Sequence, residues 1–222
     1  MKHLNLSGCK FITKLPDLCT PNLETLDLSY CENLVKIHES GEFLHKLKTW
    51  HLRYCKKLQN LPNNLMLTSL EVLETLNLHE CNNLRDLPDG IYKLQWLWEL
   101  LTPTAKLRPT CNSFDSSSSY GFLKMKHLNF FHHKKVIELD LLMKPNYFPA
   151  LESIHLSETN IITIPESISR FPRLKLLWIQ KCKHLREIQG LPQSIRGVYA
   201  EECPLLDYES PSGLLNQVSL FL

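Results

Sequence analysis

Cysteine and histidine are the residue types in this chain whose chemistry could be nucleophilic or metal-binding, with eight and ten copies in 222 residues. Five of the cysteines recur in the same setting, in LNLSGCKFITKLP (4–16), LDLSYCENLVKIH (26–38), WHLRYCKKLQNLP (50–62), LNLHECNNLRDLP (76–88) and LWIQKCKHLREIQ (177–189). The recurrence is open to four interpretations: a metal site, a disulfide framework, a catalytic thiol, or a position with a purely structural role.

The spacing favours the structural role. No two cysteines form a CxxC pair, and they are too sparse for a disulfide-rich scaffold. A zinc site would need paired ligands within a segment, whereas these cysteines come one to a segment. Cys182 and His184 form a close Cys/His pair, and we expect a turn to point them apart. GxSxG, HExxH and paired-carboxylate motifs are absent, so we predict no enzymatic activity, no metal and no cofactor.

Alignment on the cysteine reveals a repeat, L-x-x-L-x-L-x-x-C-x-x-L-x-x-L-P, whose regular copies start 21 to 26 residues apart. The two leucines of L-x-L point to the same side of a strand. The later apolar residues can reach the same interior after the chain has turned. One coil cannot enclose a core, but stacked coils share one. The sequence therefore predicts an α/β leucine-rich-repeat solenoid: a curved horseshoe with a parallel β-sheet on the concave face and irregular loops and short helices on the convex face.

The cysteine column falls just after each strand, where a turn leaves backbone groups in need of partners. A small, mostly apolar side chain with a weak S–H donor fits such a buried corner. Histidine and threonine each occupy the column once and can also donate a hydrogen bond. The predicted structural ladder comprises Cys9, Cys31, Cys55, Cys81, His133, Thr159, Cys182 and Cys203.

The repeats predict a leucine-rich-repeat domain of about eight to nine coils over residues 1–206. Residues 102–120 lack the repeat spacing and carry two prolines and a four-serine run, so we expect an irregular insertion there. Residues 207–222 leave the pattern and are predicted to be a tail or the start of a truncated further domain. Segments 69–74 and 88–100 have helix-like apolar spacing. PESI (165–168) is expected to open another return segment.

Composition limits the classes of partner. The formal net charge is +2, so no strong field is available to hold nucleic acid or a membrane surface. No apolar run is long enough to span a bilayer, and the N-terminus does not resemble a signal peptide. We expect a cytoplasmic location, with the nucleus as a second option, and free thiols.

Three repeat subtypes carry a family resemblance. LxLxxCxxLxxLP is matched at 4–16, 50–62 and 76–88, a threonine form reads LSETNIITIP at 156–165, and a terminal form reads LPQSIRGVYAEECPLL at 191–206. Over about residues 1–206 the chain resembles the leucine-rich-repeat region of plant intracellular disease resistance proteins of the TIR–nucleotide-binding class. The resemblance implies sensing of a pathogen effector, or of a guarded host protein, and restraint of the nucleotide-binding domain of the same receptor.

Two alternatives stay open at this point. F-box ubiquitin-ligase subunits also recruit substrates through repeats with cysteine after L-x-L, but those repeats run near 26 residues with a regular helix in each coil. The chain could also be a truncated stand-alone decoy or adaptor. It contains no GxxxxGK[ST] phosphate loop and no TIR domain, so neither ATP binding nor NAD cleavage is assigned to it.

Strand positions that alternate with the buried leucines, and the positions that flank them, are the predicted partner contacts. Trp178 is the expected anchor, since aromatic and basic residues dominate interface energetics. On this basis Trp178→Ala should weaken partner binding and leave the thermal midpoint nearly unchanged. The predicted contacts on the concave face are Asn5, Asp27, His51, Arg53, Tyr54, Asn77, His79, Glu80, Asn129, Phe131, His155, Glu158, Trp178, Lys181 and Tyr199.

Overall fold

The computed structural model forms two compact units, Met1–Lys124 and Met125–Leu222. The residues that it describes are 1–16, 18–38, 45–62, 72–85, 87, 91, 94, 97, 99–101, 122–131, 139, 147–207 and 219–221. The expected insertion at 102–120 and nearly all of the tail after residue 207 lie outside the described residues, as do most of the helix-like segments 69–74 and 88–100.

Short parallel strands, one per coil, form the main sheet of the first unit. The strands of this unit are β1 (His3–Asn5), β2 (Lys14–Leu15), β3 (Thr25–Asp27), β4 (Lys36–Ile37), β5 (Thr49–His51), β6 (Thr75–Asn77) and β7 (Glu99–Leu101). β1, β3, β5, β6 and β7 pair in that order, and all are parallel. Their central residues lie in register: Leu4, Leu26, Trp50, Leu76 and Leu100. β2 and β4 form a separate two-stranded parallel pair on the return side of the coils.

The second unit repeats this arrangement. Its strands are β8 (His127–Asn129), β9 (Ser153–His155), β10 (Thr163–Ile164), β11 (Leu176–Trp178), β12 (Glu187–Ile188), β13 (Gly197–Tyr199) and β14 (Ser219–Phe221). β8, β9, β11, β13 and β14 pair in parallel, and β10 pairs with β12. A 3-10 helix, Glu166–Arg170, follows Pro165, where the sequence predicts a return segment.

The apolar residues of the repeat form the core, as the spacing predicts. In the coil that contains β3, the leucines at 23, 26, 28 and 34 and the thiol of Cys31 are completely buried. Within β3 itself only the central residue is buried, and its two neighbours are half-exposed. The same half-exposed, buried, half-exposed pattern recurs in β5, β6, β8 and β11. The predicted parallel-sheet solenoid of leucine-rich repeats is therefore confirmed.

A left-handed residue just before the cysteine column shapes the turn that follows each strand. In the described coils this conformation, with φ between 57° and 75°, is found at Gly8, Tyr30, Tyr54, Glu80, Glu158, Lys181 and Glu202. The conformation costs a residue other than glycine roughly 1–2 kcal/mol. It also directs the backbone N–H toward the next coil: Tyr30 donates to the carbonyl of Arg53 at 2.8 Å, and Tyr54 to that of His79 at 2.7 Å. The turn and the stacking of coils are thus one structural feature.

Leu78 tests the shared core, because its side chain is 0% exposed. Leu78→Ala should lower the free energy of unfolding by about 2–5 kcal/mol, since neighbouring coils cannot collapse fully around the lost volume. Leu123→Ala is the matched control, because Leu123 belongs to the same unit but is 45% exposed. Urea titration followed by circular dichroism measures both changes, and equal losses in the two variants would contradict a core shared between coils.

Candidate functional site

Buried thiols join each coil to the one before it. The Sγ atom of Cys31 donates to the carbonyl of Leu6 at 3.2 Å, Cys55 to that of Leu28 at 3.1 Å, and Cys81 to that of Leu52 at 3.0 Å. In the second unit, Cys182 donates to Leu156 at 3.2 Å and Cys203 to Ile179 at 2.8 Å. In all five cases the acceptor is the second core residue of the preceding L-x-L. We refer to these five thiols as the thiol ladder.

Four of these carbonyls are each a junction of two hydrogen bonds: those of Leu6, Leu28, Leu52 and Leu156. The carbonyl of Leu28 accepts the backbone N–H of Cys31, from its own coil, at 3.2 Å as well as the thiol of Cys55. The carbonyl of Leu52 accepts in the same way from the N–H of Cys55 at 3.1 Å and from the thiol of Cys81. A carbonyl oxygen with two lone pairs is then fully satisfied in a position that water does not reach.

The other predicted ladder positions differ in detail. Thr159 is buried but donates to Leu156 of its own coil, at 2.6 Å, because its hydroxyl reaches less far than a thiol. The Leu156 carbonyl also accepts the Cys182 thiol, so the junction keeps two donors. Cys9 is half-buried. His133 lies outside the described residues.

The surroundings of Cys31 and Cys81 disfavour thiol chemistry, whereas a hydrogen bond with Cys203 lowers the pKa of Cys182 to about 7. Burial raises the pKa of the Cys31 thiol to about 11. A hydrogen bond with Cys55, together with burial, raises the pKa of Cys81 well above its usual value. The thiolate is the nucleophilic form of cysteine, so these groups act as neutral donors near pH 7. Cys182 is buried whereas His184 is exposed, so these two side chains lie in different environments although they are close in the sequence.

Metal binding and membrane insertion find no support in the part of the chain that the structure describes. There, His, Cys, Asp and Glu side chains do not gather in threes as a metal ion would require. The described helices include none of the length and apolar character that a bilayer crossing needs.

The predicted partner contacts with Asn or Asp at the strand end have a structural role as well. The Oδ1 atoms of Asn5, Asp27, Asn77 and Asn129 accept the backbone N–H two residues later, at 2.8, 2.8, 3.0 and 2.8 Å. This Asx geometry ends the strand and starts the turn. The sequence-based prediction treats these side chains as surface contacts and misses their Asx role. Asn or Asp at the central position of L-x-L is the sequence pattern that could have indicated this role.

A row of rings crosses the sheet of the second unit on the side away from the core. Ring centroids of Phe131 and His155 are 5.3 Å apart, those of His155 and Trp178 5.7 Å, and those of Trp178 and Tyr199 5.4 Å. Trp178 and Tyr199 are stacked, with an interplanar angle of 8°. We call these four residues the aromatic row. Parallel register brings His155, Trp178 and Tyr199 side by side.

The ring contacts of Trp178 change the expected effect of its replacement on stability, while its role as a partner contact stays a prediction. The sequence suggests a free surface anchor whose loss leaves the thermal midpoint unchanged. In the structure the ring is half-buried between His155 and Tyr199. Each aromatic contact contributes about 0.5–1.5 kcal/mol beyond area burial, so Trp178→Ala should lower stability as well as alter the surface.

A second ring cluster lies in the first unit. Tyr30 and Tyr54 are stacked with centroids 4.9 Å apart, and His79 meets Tyr54 edge-on at 5.4 Å. The guanidinium of Arg53 lies 4.9 Å from the Tyr30 ring centroid and donates to the Tyr30 hydroxyl. Sequence reasoning named Arg53, Tyr54 and His79 but missed Tyr30, which occupies the same repeat position as Tyr54.

The remaining predicted contacts belong to two sets. His51 is half-buried in β5, in register between Asp27 and Asn77. Glu80, Glu158 and Lys181 are left-handed turn residues, so their backbones also serve the coil. Lys181 faces Glu202 of the next coil with 3.9 Å between Nζ and Oε1.

His155 is held in its neutral form by its surroundings. Asn129 accepts from Phe131 through Oδ1, which leaves its Nδ2 to donate toward the His155 Nδ1 at 3.4 Å. A protonated Nδ1 would oppose that donor. Burial lowers the pKa of His155.

Replacing one cysteine of the thiol ladder tests its contribution to stability. Cys55→Ala should lower the free energy of unfolding by about 1–3 kcal/mol, because the Leu28 carbonyl loses a donor in a buried position. Cys19→Ala is the matched control, since Cys19 is exposed. Urea titration under reducing conditions measures both, and a Cys55 variant as stable as the control would contradict the ladder.

The pH dependence of stability follows from His155. Its pKa is lowered in the folded state, so below the unfolded value of about 6.5 the unfolded chain binds the proton more readily and stability falls. His155→Gln should therefore lose less stability than the wild type between pH 7.5 and pH 5. His184→Gln makes the same change at an exposed side chain and is the control. Urea titration at both pH values measures the drop in the free energy of unfolding for each protein. A drop in His155→Gln as large as that in the wild type would refute the role of His155.

The comparisons with known proteins agree with the repeat pattern. The family model described as "Leucine Rich Repeat" matches residues 1–21. "Disease resistance protein RML1A" of Arabidopsis thaliana is 30% identical over 229 residues, which cover 97% of this chain and 21% of that protein. "TMV resistance protein N" of Nicotiana glutinosa is 26% identical over 88% of this chain and 14% of its own length. "Disease resistance protein RPP4" of Arabidopsis thaliana is 43% identical over 89 residues, 40% of this chain and 8% of that protein.

The chain spans about a fifth or less of these relatives. Among solved structures, "Plant peptide hormone receptor RGFR1 in complex with RGF2" covers 91% of this chain and 36% of its own, with 16% identity and a TM-score of 0.44. "Structure of Leptospira interrogans LRR protein LIC12759" covers 95% of this chain and 75% of its own, with 17% identity and a TM-score of 0.41. The repeat spacing, the coil geometry and the curated relatives together identify this chain as a leucine-rich-repeat domain similar to those of plant disease resistance proteins.

Proposed function

We propose that this chain is the sensing and autoregulatory repeat region of a plant intracellular immune receptor. Its partners are a pathogen effector or a guarded host protein and, where the full receptor is longer, the nucleotide-binding domain of that receptor. The site of action is the cytoplasm, with the nucleus as a second location. The chain acts by binding proteins and performs no catalysis of its own.

The aromatic row is the observation that carries this proposal. It presents Phe131, His155, Trp178 and Tyr199 side by side, half-exposed, on the sheet side away from the core. Aromatic side chains are enriched among residues that dominate binding energy, because they bury much area at low entropic cost. Mutual stacking fixes the rings before a partner arrives, which lowers the cost of ordering them on binding. The relatives named as resistance proteins support a role in defence.

The F-box alternative has less support. Its repeats carry a regular α-helix in each coil, whereas the coil after β10 returns through a five-residue 3-10 helix, Glu166–Arg170. The adjacent coil places the two-residue strand β12, Glu187–Ile188, on its return side. These described return segments fit irregular coils better than helix-bearing ones.

Proximity labelling in plant tissue tests the proposal. The chain, fused to a promiscuous biotin ligase, is expressed with and without pathogen challenge, and the Trp178→Ala variant is compared with the wild type. We expect labelled pathogen or host defence proteins that are lost in the variant, and direct binding to the purified chain that falls by about tenfold or more. Phe11→Ala is the matched control, because Phe11 is 99% exposed and lies outside the sheet.

Three results would count against the proposal. One is an identical labelled set for the wild type and the Trp178 variant. Another is equal loss of binding in the Phe11 control. The third is a set dominated by ubiquitin-ligase subunits, which would favour the F-box alternative. The thermal midpoint of each variant must lie above the assay temperature. Lost labelling then results from the altered binding surface and not from unfolding of the variant.

A further inference from the structure

A groove on the return side of the second unit is not used by the proposed sheet-face contacts. Asn160, Ile162, His184, Arg186 and Leu205 line it, and its volume is about 440 Å³. These residues follow the turn after β9, β11 and β13, so they come from three successive coils. We call this site the edge groove.

The edge groove has apolar side chains that the core does not need. Ile162 is 51% exposed and Leu205 is 53% exposed. Their chain neighbours Ile161 and Leu206 already fill the core positions of those coils and are buried. Exposing two large aliphatic side chains to water in the lining of one groove is unfavourable, and a bound partner would remove that cost.

The edge groove also presents a positive charge, the guanidinium of Arg186. Three of the described lysines of this unit have a carboxylate partner: Lys126 and Lys175 pair with Glu152 at 3.7 and 2.7 Å, and Lys181 pairs with Glu202 at 3.9 Å. Arg186 takes part in none of the ion pairs found among the described residues, and its backbone carbonyl accepts the N–H of Asp207 from the next coil at 3.0 Å. The groove lining itself contains no carboxylate.

An adjoining depression extends the surface. It shares Asn160 and His184 with the edge groove, adds Lys183, and has a volume of about 550 Å³. Its lining also contains Glu158 and Glu202, and Glu202 pairs with Lys181 at 3.9 Å. Arg186 is the one residue of the edge-groove lining with a full charge near pH 7, and it comes from the coil between those of Ile162 and Leu205.

We propose that the edge groove binds an acidic, leucine-bearing peptide segment of a protein partner. The aliphatic side chain packs against Ile162 and Leu205, and a carboxylate pairs with the guanidinium of Arg186. Such a pair can form two parallel charge-assisted hydrogen bonds, which adds specificity to the apolar contact. Because none of these residues belongs to the aromatic row, the edge groove can bind whether or not the sheet face does.

Fluorescence anisotropy with the purified full chain tests this binding. The probe is a short fluorescein-labelled peptide of alternating glutamate and leucine, and the comparison peptide has glutamine in place of glutamate. The acidic peptide should bind saturably and at least about tenfold more tightly than the neutral one, and added salt should weaken it. Arg186→Gln and Ile162→Ser should each weaken binding by about tenfold or more.

Arg173→Gln is the matched control, because Arg173 is exposed in the same unit but lies outside the groove. It should leave the affinity within about twofold, as expected for an isolated surface charge. The proposal is overturned by the absence of saturable binding, by equal affinity for the neutral peptide, or by equal loss in the Arg173 control. A partner lost in Trp178→Ala but kept in Arg186→Gln would still support the sheet face, so failure at one surface is distinguishable from failure at the other.

Discussion

The carbonyl at the end of each L-x-L is the point on which the structure depends. At Leu28 it accepts the backbone N–H of Cys31 from the same coil and the thiol of Cys55 from the next. One oxygen thereby ends a strand, closes a turn and sets the position of the following coil. Because the junction is buried, loss of the thiol would leave one lone pair of this oxygen without a donor, while the backbone N–H still bonds to the other. A side chain that is small, apolar and still able to donate meets this requirement, which answers why cysteine recurs there.

The junction determines which residues remain available for recognition. Core residues face inward, and several left-handed residues of the turns donate their backbone N–H to the neighbouring coil: Gly8, Tyr30, Tyr54, Glu158 and Lys181. The strand-end column is divided further, because the Asn and Asp members hold the turn while His155, Trp178 and Tyr199 form a stacked row. The sheet face thus combines residues that build the coil with residues that can contact a partner. In the second unit, return-side residues such as Arg186 and Leu205 provide a separate surface.

Repetition made the fold readable from sequence, since the same leucine spacing in many coils has one simple interpretation. Individual positions were less readable. Thr159 shares the cysteine column but its hydroxyl bonds within its own coil, a difference that the repeat spacing does not reveal. Tyr30 and Tyr54 adopt left-handed backbone without glycine, because inter-coil hydrogen bonds outweigh local preference. The burial of Trp178 depends on its two neighbours across the sheet, which a pattern of single coils does not describe.

Amide hydrogen exchange at Tyr54 tests most directly whether inter-coil bonding at the turn holds the solenoid together. The Tyr54 N–H donates to the carbonyl of His79 at 2.7 Å although its side chain lies at the surface. If turn and coil stacking are one feature, this amide exchanges as slowly as that of Leu52, which is bonded to Asn77 across the sheet and opens only when the coils separate. Exchange of Tyr54 at the rate of an exposed loop amide, with Leu52 still protected, would show that the turn opens on its own and would contradict the account.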